Sequence, residues 1–125
     1  MDARRIAEVI SQESLRPARI VVSSARRTKE TAAGIVEHLG SVPVVEEPRL
    51  YMATPITLKE VLEDHARQVS PVLIVAHNPG MQTIVSSIAG VLVPFPTASL
   101  AHVVLSKDEP PEVIAVWRTA ELTMS

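Results

Sequence analysis

The feature that most constrains the fold of this chain is a hydrophobic pattern that changes repeatedly along the sequence. Helical spacing of apolar residues alternates with short continuous apolar runs, which are typical of strands buried on both faces. Such alternation predicts an α/β sandwich with a mostly parallel sheet. The chain begins with a helical pattern, although folds of this class usually begin with a strand. The predicted helices cover residues 2–15, 27–39, 55–68 and 79–89, and the predicted strands cover 20–22, 42–45, 72–76, 99–105 and 113–117.

Prolines and glycines mark where several of these elements begin and end. Thr54 followed by Pro55 is a typical helix start, because proline at the first helical position loses no needed hydrogen bond. Gly40 and Gly90 stand where two helices are expected to end, and Gly40 suits a left-handed terminal residue. Pro43 lacks a donor for strand pairing, so the strand that contains it is predicted to lie at a sheet edge.

The composition excludes several classes of protein. The 125 residues are enough for one domain, which covers the whole chain from 1 to 125. A hydrophobic content of 46% excludes disorder, and 12 basic against 14 acidic residues argue against a nucleic-acid partner. The chain has no cysteine and no pair of histidines at metal-ligand spacing, so we expect no metal site. No apolar run has the length of a membrane span, which predicts a cytoplasmic domain without a membrane partner.

Two predicted junctions between a strand and a helix carry residues suited to chemistry. The first is Ser23-Ser24-Ala25-Arg26-Arg27-Thr28, directly after the strand at 20–22. Backbone N–H groups, the positive end of a helix and a guanidinium together form a good cradle for a phosphate or another oxyanion. The alternative is that a serine only caps the helix while both arginines are solvated. For this segment taken alone, that simpler interpretation is favoured.

The second junction is His77-Asn78-Pro79-Gly80, directly after the strand at 72–76. A histidine at the carboxyl end of a strand is placed for acid–base or electrostatic work. Asn78 can satisfy backbone groups of the turn, and Gly80 would let a ligand approach the main chain closely. A histidine that only bonds to its own loop is an equally good interpretation. The two junctions share one sheet edge, and together they indicate phosphate chemistry.

Other residues that could carry chemistry have simpler structural interpretations. His38 lies near a helix end, where a cation favours the helix dipole. His65 is expected on a solvated helix face, and His102 is expected to pack within a strand. Met52 is expected to fill the core.

Four segments of the chain resemble the histidine phosphatase superfamily, and most closely its phosphohistidine phosphatase (SixA-type) branch. They are VVSSARRTKETA at 21–32, LYMATP at 50–55, VLIVAHNPG at 72–80 and PTASLAHVVL at 96–105. The resemblance implies a three-layer α/β/α sandwich of the phosphoglycerate mutase-like class. It also implies no cofactor, because arginines and histidines supply the positive charge.

The resemblance assigns roles to individual residues. Arg27 matches the arginine that holds the phosphoryl group, and His77 matches the second catalytic histidine, which stabilises charge in the transition state. Ser24 stands where the family commonly has proline, next to the substrate. Asn78 would lend its backbone N–H to the same site. Glu47 is the candidate for a general acid, if the reaction needs one.

One motif of the family is missing from this sequence. The family begins with a central strand ending in Arg-His-Gly or Arg-His-Ala, whose histidine attacks phosphorus, and this sequence contains no Arg-His pair. We therefore expect an N-terminally incomplete domain that lacks the nucleophile and the central strand. The complete form is expected to hydrolyse a phosphoryl group through a covalent phosphohistidine intermediate, and whether this chain is itself an enzyme stays open.

Several alternatives for the function and partners follow from these observations. The expected partner is a protein that carries phosphohistidine, or a small phosphorylated substrate. The chain is alternatively an inactive module that binds phosphate or a phosphoprotein. A mutase or sugar phosphatase of the superfamily would normally have a longer cap before LYMATP at 50–55. An exposed sheet centre would also allow a homodimer to form by strand pairing.

Overall fold

The computed structural model of the protein describes residues 2–76, 80–96, 99–105 and 108–118. Within them the predicted alternation of helices and strands is confirmed. The helices are α1 (Asp2–Gln12), α2 (Arg26–Leu39), α3 (Pro55–Ala66) and α4 (Gly80–Ala89), with a short 3-10 helix at Pro48–Leu50. The strands are β1 (Arg19–Val22), β2 (Val44–Glu46), β3 (Val72–Val75), β4 (Ser99–Val104) and β5 (Glu112–Arg118). None of these helices is both long and apolar enough to span a membrane.

The strands form two separate sheets. The first is entirely parallel in the order β2-β1-β3, so that Ile20 of β1 lies between Val44 of β2 and Leu73 of β3. The second is the antiparallel pair β4-β5, with an irregularity between His102 and Val103. No pairing joins β3 to β4 in the part of the chain that the structure describes.

Helices cover both faces of the parallel sheet and enclose two apolar cores. Ile20 and Val22 of β1 point into the first core, and Val21 points into the second. The first core lies under α1 and α2 and contains Ala3, Ile6, Ala7, Ile10, Ile20, Val22, Ala32, Ile35 and Val42. The second lies under α3 and α4 and contains Val21, Leu50, Leu58, Val61, Ile84, Val85 and Phe95. This is the three-layer α/β/α arrangement that the sequence predicted.

The β4-β5 hairpin belongs to the same middle layer as the parallel sheet. Leu73 of β3 and Leu100 of β4 both pack against the first core. Ile74 of β3 and Ala101 of β4 both pack against the second core. Because side chains alternate across a strand, this sharing of two cores places β3 and β4 side by side in one layer.

The predicted signals for the ends of the elements are confirmed. Gly40 and Gly90 end α2 and α4 with φ angles of 86° and 78°, which glycine adopts without steric cost. The Thr54 hydroxyl accepts a hydrogen bond from the backbone N–H of Thr57 (3.3 Å), which caps α3. Pro43 precedes β2, which lies at the sheet edge as expected. The prediction of a core position for Met52 is wrong, because its side chain is 80% exposed in the loop before α3.

Candidate functional site

The carboxyl ends of the three parallel strands meet at one edge of the sheet. The backbone N–H of Ser23, just after β1, donates to the carbonyl of Val75 at the end of β3 (3.0 Å). The N–H of Glu47, just after β2, donates to the carbonyl of Val22 (2.8 Å). This edge is where ligands bind in open α/β sheets, and it is the edge that the sequence predicted.

Buried hydroxyl groups fix the turn that leads from β1 into α2. Ser23 is completely buried, and its Oγ accepts a hydrogen bond from the N–H of Ala25 (3.3 Å). The hydroxyl of Thr28 donates to the carbonyl oxygens of Ser23 (3.1 Å) and Ala25 (2.8 Å). Ala25 is the residue that precedes α2, and its side chain provides no cap. These hydrogen bonds fix the turn, and the side chain of Ala25 does not cap the positive end of α2.

Arg27 lies in the first turn of α2 and is exposed. Its guanidinium makes no hydrogen bond or ion pair with any described residue. It borders a cavity whose wall also includes Val75 and Ala76 at the end of β3. The neighbouring Arg26 is instead paired with Glu30 (3.0 Å) and points into solvent. Of the two arginines in this turn, Arg27 is the one whose charge is available to an anion at the sheet edge.

The other predicted site residues are only partly described. Ser24 is half-buried and lines a separate shallow groove with Arg26 and Lys29. His77 and Asn78 lie outside the described residues. Ala76, which precedes them in the sequence, borders the same cavity as Arg27. The described residues include no group of three or more His, Cys, Asp or Glu side chains that could hold a metal ion.

Gly80 has a packing role that the sequence analysis did not identify. A Cβ atom at this position would lie 2.9 Å from Cδ1 of Leu58 and 3.1 Å from the carbonyl oxygen of Ala53. Glycine therefore allows a close approach where α4 begins against α3, and a larger residue would make Leu58 and the Ala53 backbone shift. Protein atoms fill the space that a side chain would occupy, and the expectation that Gly80 admits a ligand to the main chain stays a prediction.

His65 belongs to a polar cluster with Arg19, Glu47, Arg49 and Gln68. Its Nδ1 lies 3.0 Å from Nη1 of Arg19, and its Nε2 lies 3.3 Å from Oε1 of Glu47. Since a guanidinium only donates, Nδ1 accepts from Arg19, and the proton on Nε2 is directed at the Glu47 carboxylate. Arg19 also donates to the side chain of Gln68 (2.9 Å).

The expectation that His65 is solvated is therefore wrong, since the residue is buried. Its spacing from Leu58 and Val61 places it on the buried face of α3. That spacing is the sequence signal that could have predicted its burial.

Glu47 is unsuited to the general-acid role considered for it. A hydrogen bond from Arg49 (2.8 Å), with a further one from His65, lowers the pKa of the Glu47 carboxyl from 4.5 to about 2. A group that is ionised throughout the neutral range has no proton to donate. Glu47 also accepts from the backbone N–H of Arg49, so its carboxylate holds the 3-10 helix in place.

Glu47→Gln is expected to remove the part of the acid sensitivity of folding that lies between pH 4.5 and about pH 2. The folded-state pKa is lowered, so the stabilisation is fully present above pH 4.5 and is lost as the pH falls towards 2. Its size is about 1 kcal/mol, because water screens the exposed side of the cluster. The measurement is the urea midpoint from pH 2 to 7, with Glu46→Gln, whose carboxylate pairs only at the surface with Lys29, as control. An unchanged pH profile in Glu47→Gln would contradict this assignment.

Several solved phosphatase structures share this fold. The structure of the protein histidine phosphatase SixA complexed with tungstate matches with a TM-score of 0.84 and 18% identity, over 96% of this chain and 80% of that one. A protein of Agrobacterium tumefaciens assigned as the phosphohistidine phosphatase SixA matches with a TM-score of 0.78 and 23% identity, over 94% of this chain and 77% of its own. A mycobacterial glucosyl-3-phosphoglycerate phosphatase matches with a TM-score of 0.62 and 15% identity, over 93% and 83% of the two chains.

These similarities establish the class of fold. It is the fold that the SixA structures and the glucosyl-3-phosphoglycerate phosphatase share, as the motifs of the sequence predicted. Within that class, the SixA phosphohistidine phosphatases are the neighbours with the higher TM-scores among these three. No family model and no curated protein matches the sequence itself.

Proposed function

We propose that this chain is a phosphatase-like domain whose sheet edge binds the phosphoryl group of a phosphohistidine. The observation that carries the proposal is Arg27, whose guanidinium has no partner among the described residues and borders the cavity whose wall includes the end of β3. The shared fold supports it, because one of the structural neighbours holds tungstate, a tetrahedral oxyanion with the shape of phosphate.

The chemistry of Arg27 suits the recognition of a phosphoryl group. A guanidinium presents two parallel N–H donors to two phosphoryl oxygens, and such charge-assisted bonds are about twice as strong as neutral ones. The first turn of α2 adds the positive end of a helix and backbone N–H groups on the same side. His77 would stabilise the charge that develops on the phosphoryl oxygens, and the backbone N–H of Asn78 would donate to the same group.

Hydrolysis requires a nucleophile in addition to the groups proposed to bind the phosphoryl group. A nucleophilic nitrogen attacks phosphorus as the bond to the substrate imidazole breaks, and the leaving imidazole takes up a proton. Water then attacks the new phosphohistidine, releases inorganic phosphate and restores the nucleophile. The sequence has no Arg-His motif, and His65 is held between Arg19 and Glu47. We propose that this chain performs the binding step and that hydrolysis depends on a histidine supplied beside His77.

A second candidate function is a module that only binds phosphorylated proteins. The sequence supports it as well, because it contains no Arg-His pair while Arg27 and His77 match the residues proposed to bind the phosphoryl group. The two functions differ in one observable. A binding module retains tungstate or phosphate affinity and never releases inorganic phosphate from phosphohistidine.

Arg27→Ala is expected to weaken tungstate binding by about 10- to 100-fold, the loss that corresponds to one charge-assisted interaction. Arg26→Ala should leave the affinity unchanged, because Arg26 is 93% exposed and already paired with Glu30. Both affinities are measured by calorimetry at fixed ionic strength. Equal weakening in the two variants would indicate a general effect of surface charge and would contradict the assignment of Arg27.

A further inference from the structure

His65 is a buried titratable side chain outside the proposed phosphoryl site. It lies near the end of α3 with 7% exposure and does not line the cavity that Arg27 borders. Its ring nitrogens face opposite charges, because Nδ1 lies 3.0 Å from Nη1 of Arg19 and Nε2 lies 3.3 Å from Oε1 of Glu47. The ring therefore joins a cation of β1 to an anion of the segment after β2.

The other charges near this ring belong to the same polar cluster. Arg49 of the 3-10 helix donates to the carboxylates of Glu47 (2.8 Å) and Asp64 (2.9 Å). Asp64 also accepts from Arg67, the residue that ends α3 (3.0 Å). The two other elements that pack against α3 are β3 and α4, and neither contains an ionisable residue. Arg19 and Glu47 are therefore the charged groups that the ring of His65 contacts directly within the described residues.

The neutral and the protonated ring of His65 cannot keep the same contacts. In the neutral ring Nδ1 accepts from Arg19, while the proton on Nε2 is directed at Glu47. A second proton, on Nδ1, replaces that acceptor with a donor, and a guanidinium has no lone pair to accept it. The ring then repels Arg19 as a like charge and attracts the Glu47 carboxylate more strongly. Histidine is the side chain whose charge ordinarily changes between pH 5 and 8.

We propose that His65 is a pH switch that connects β1 to α3 when it is neutral and releases this connection when it is protonated. The element with two arrangements is the side chain of Arg19. In the neutral state it donates to His65 and to the side chain of Gln68 (2.9 Å). In the protonated state it turns away from the ring, which its half-buried position at the start of β1 allows, and His65 forms an ion pair with Glu47.

Removing each partner of His65 is expected to have opposite pH dependences. The measurement is the unfolding temperature of each variant relative to the unmodified chain, at pH 8 and at pH 5. Arg19→Met should lower it by about 4 °C at pH 8 and by about 1 °C or less at pH 5, where the lost contact is already absent. Glu47→Gln should lower it by about 2 °C more at pH 5 than at pH 8, because only the protonated ring forms an ion pair with the carboxylate.

Arg16→Met is the matched control for Arg19→Met. Arg16 donates to the backbone carbonyl oxygens of Leu39 and Ser41, which do not titrate. Its substitution should therefore lower the unfolding temperature equally at the two pH values. In a His65→Asn background, the effect of Arg19→Met should also become equal at the two pH values.

The ¹⁵N chemical shifts of the His65 ring test the switch in the unmodified chain. They should show a proton on Nε2 alone at pH 8 and protons on both nitrogens at pH 5. A ring that stays neutral at pH 5 would overturn the proposal, and so would an effect of Arg19→Met that is the same at both pH values. A pH dependence that persists in the His65→Asn background would assign it to another group and also overturn the proposal. Tungstate affinity is not a readout here, so failure leaves the proposed function untouched.

Discussion

A version of this chain preceded by an apolar strand that ends in Arg-His-Gly is expected to release phosphate from phosphohistidine about 10³-fold faster than the chain alone, or more. The physical reason is that a covalent nucleophile divides one difficult transfer into two easier steps. α1 leads to the beginning of β1, so a strand placed before α1 and parallel to β3 would end near the edge where Arg27 lies. The added histidine would then face the phosphoryl group that Arg27 is proposed to bind.

Two control variants separate the nucleophile from the added strand. A fusion that ends in Arg-Ala-Gly adds the same strand without the histidine and should remain at the rate of the unmodified chain. Combining the Arg-His-Gly fusion with Arg27→Ala should reduce its activity, because the phosphoryl group loses its principal cation. Single-turnover release of phosphate is the measurement. Equal rates in the Arg-His-Gly and Arg-Ala-Gly fusions would contradict the proposed route of hydrolysis and leave the binding function standing.

Local sequence signals predicted most of the fold. Thr54, Gly40 and Gly90 act through their own backbone positions, so capping and left-handed turns follow from residue type alone. The short apolar runs predicted strands because a strand that is buried on both faces has a nearly continuous apolar sequence. The ends of the elements are less well determined, as in β2, which the sequence predicted to begin at Val42 and which begins at Val44.

Contacts between distant segments account for the errors. Glu47 and His65 lie 18 residues apart, and no local pattern shows that a carboxylate after β2 meets a helix end. Gly80 is explained by its closeness to Leu58, a residue of another helix. The roles of Ser23 and Thr28 in the turn before α2 could be suspected from their chemistry, but their bonding partners required the structure.

The sequence motifs predicted part of the candidate site. The position of Arg27 at the sheet edge follows from the strand–turn–helix pattern, and the structure places it there. The difference between Arg26 and Arg27 was not predicted, although Glu30 stands four residues after Arg26, the helical spacing at which opposite charges pair. The roles of His77 and Asn78 remain predictions of the sequence.

Leu50→Ala is expected to lower the free energy of unfolding by about 3 kcal/mol, within the 2–5 kcal/mol typical of a buried leucine. Leu50 is 1% exposed and packs in the second core beside Leu58 and Val61. The substitution removes apolar area from that core and leaves a void that a close-packed interior fills only in part. For a domain of this size, such a loss is a large share of the total stability.

Met52→Ala is the matched control for Leu50→Ala, because both residues lie in the segment between β2 and α3. Met52 is 80% exposed and should change the unfolding free energy by less than about 0.5 kcal/mol. Urea unfolding measures both variants, and an unchanged m-value would show that the denatured state is not altered. Equal effects would mean that the LYMATP segment is not anchored by Leu50. If only Leu50→Ala destabilises, Leu50 is the residue that anchors this segment to the second core, next to Glu47 and Arg49 of the polar cluster.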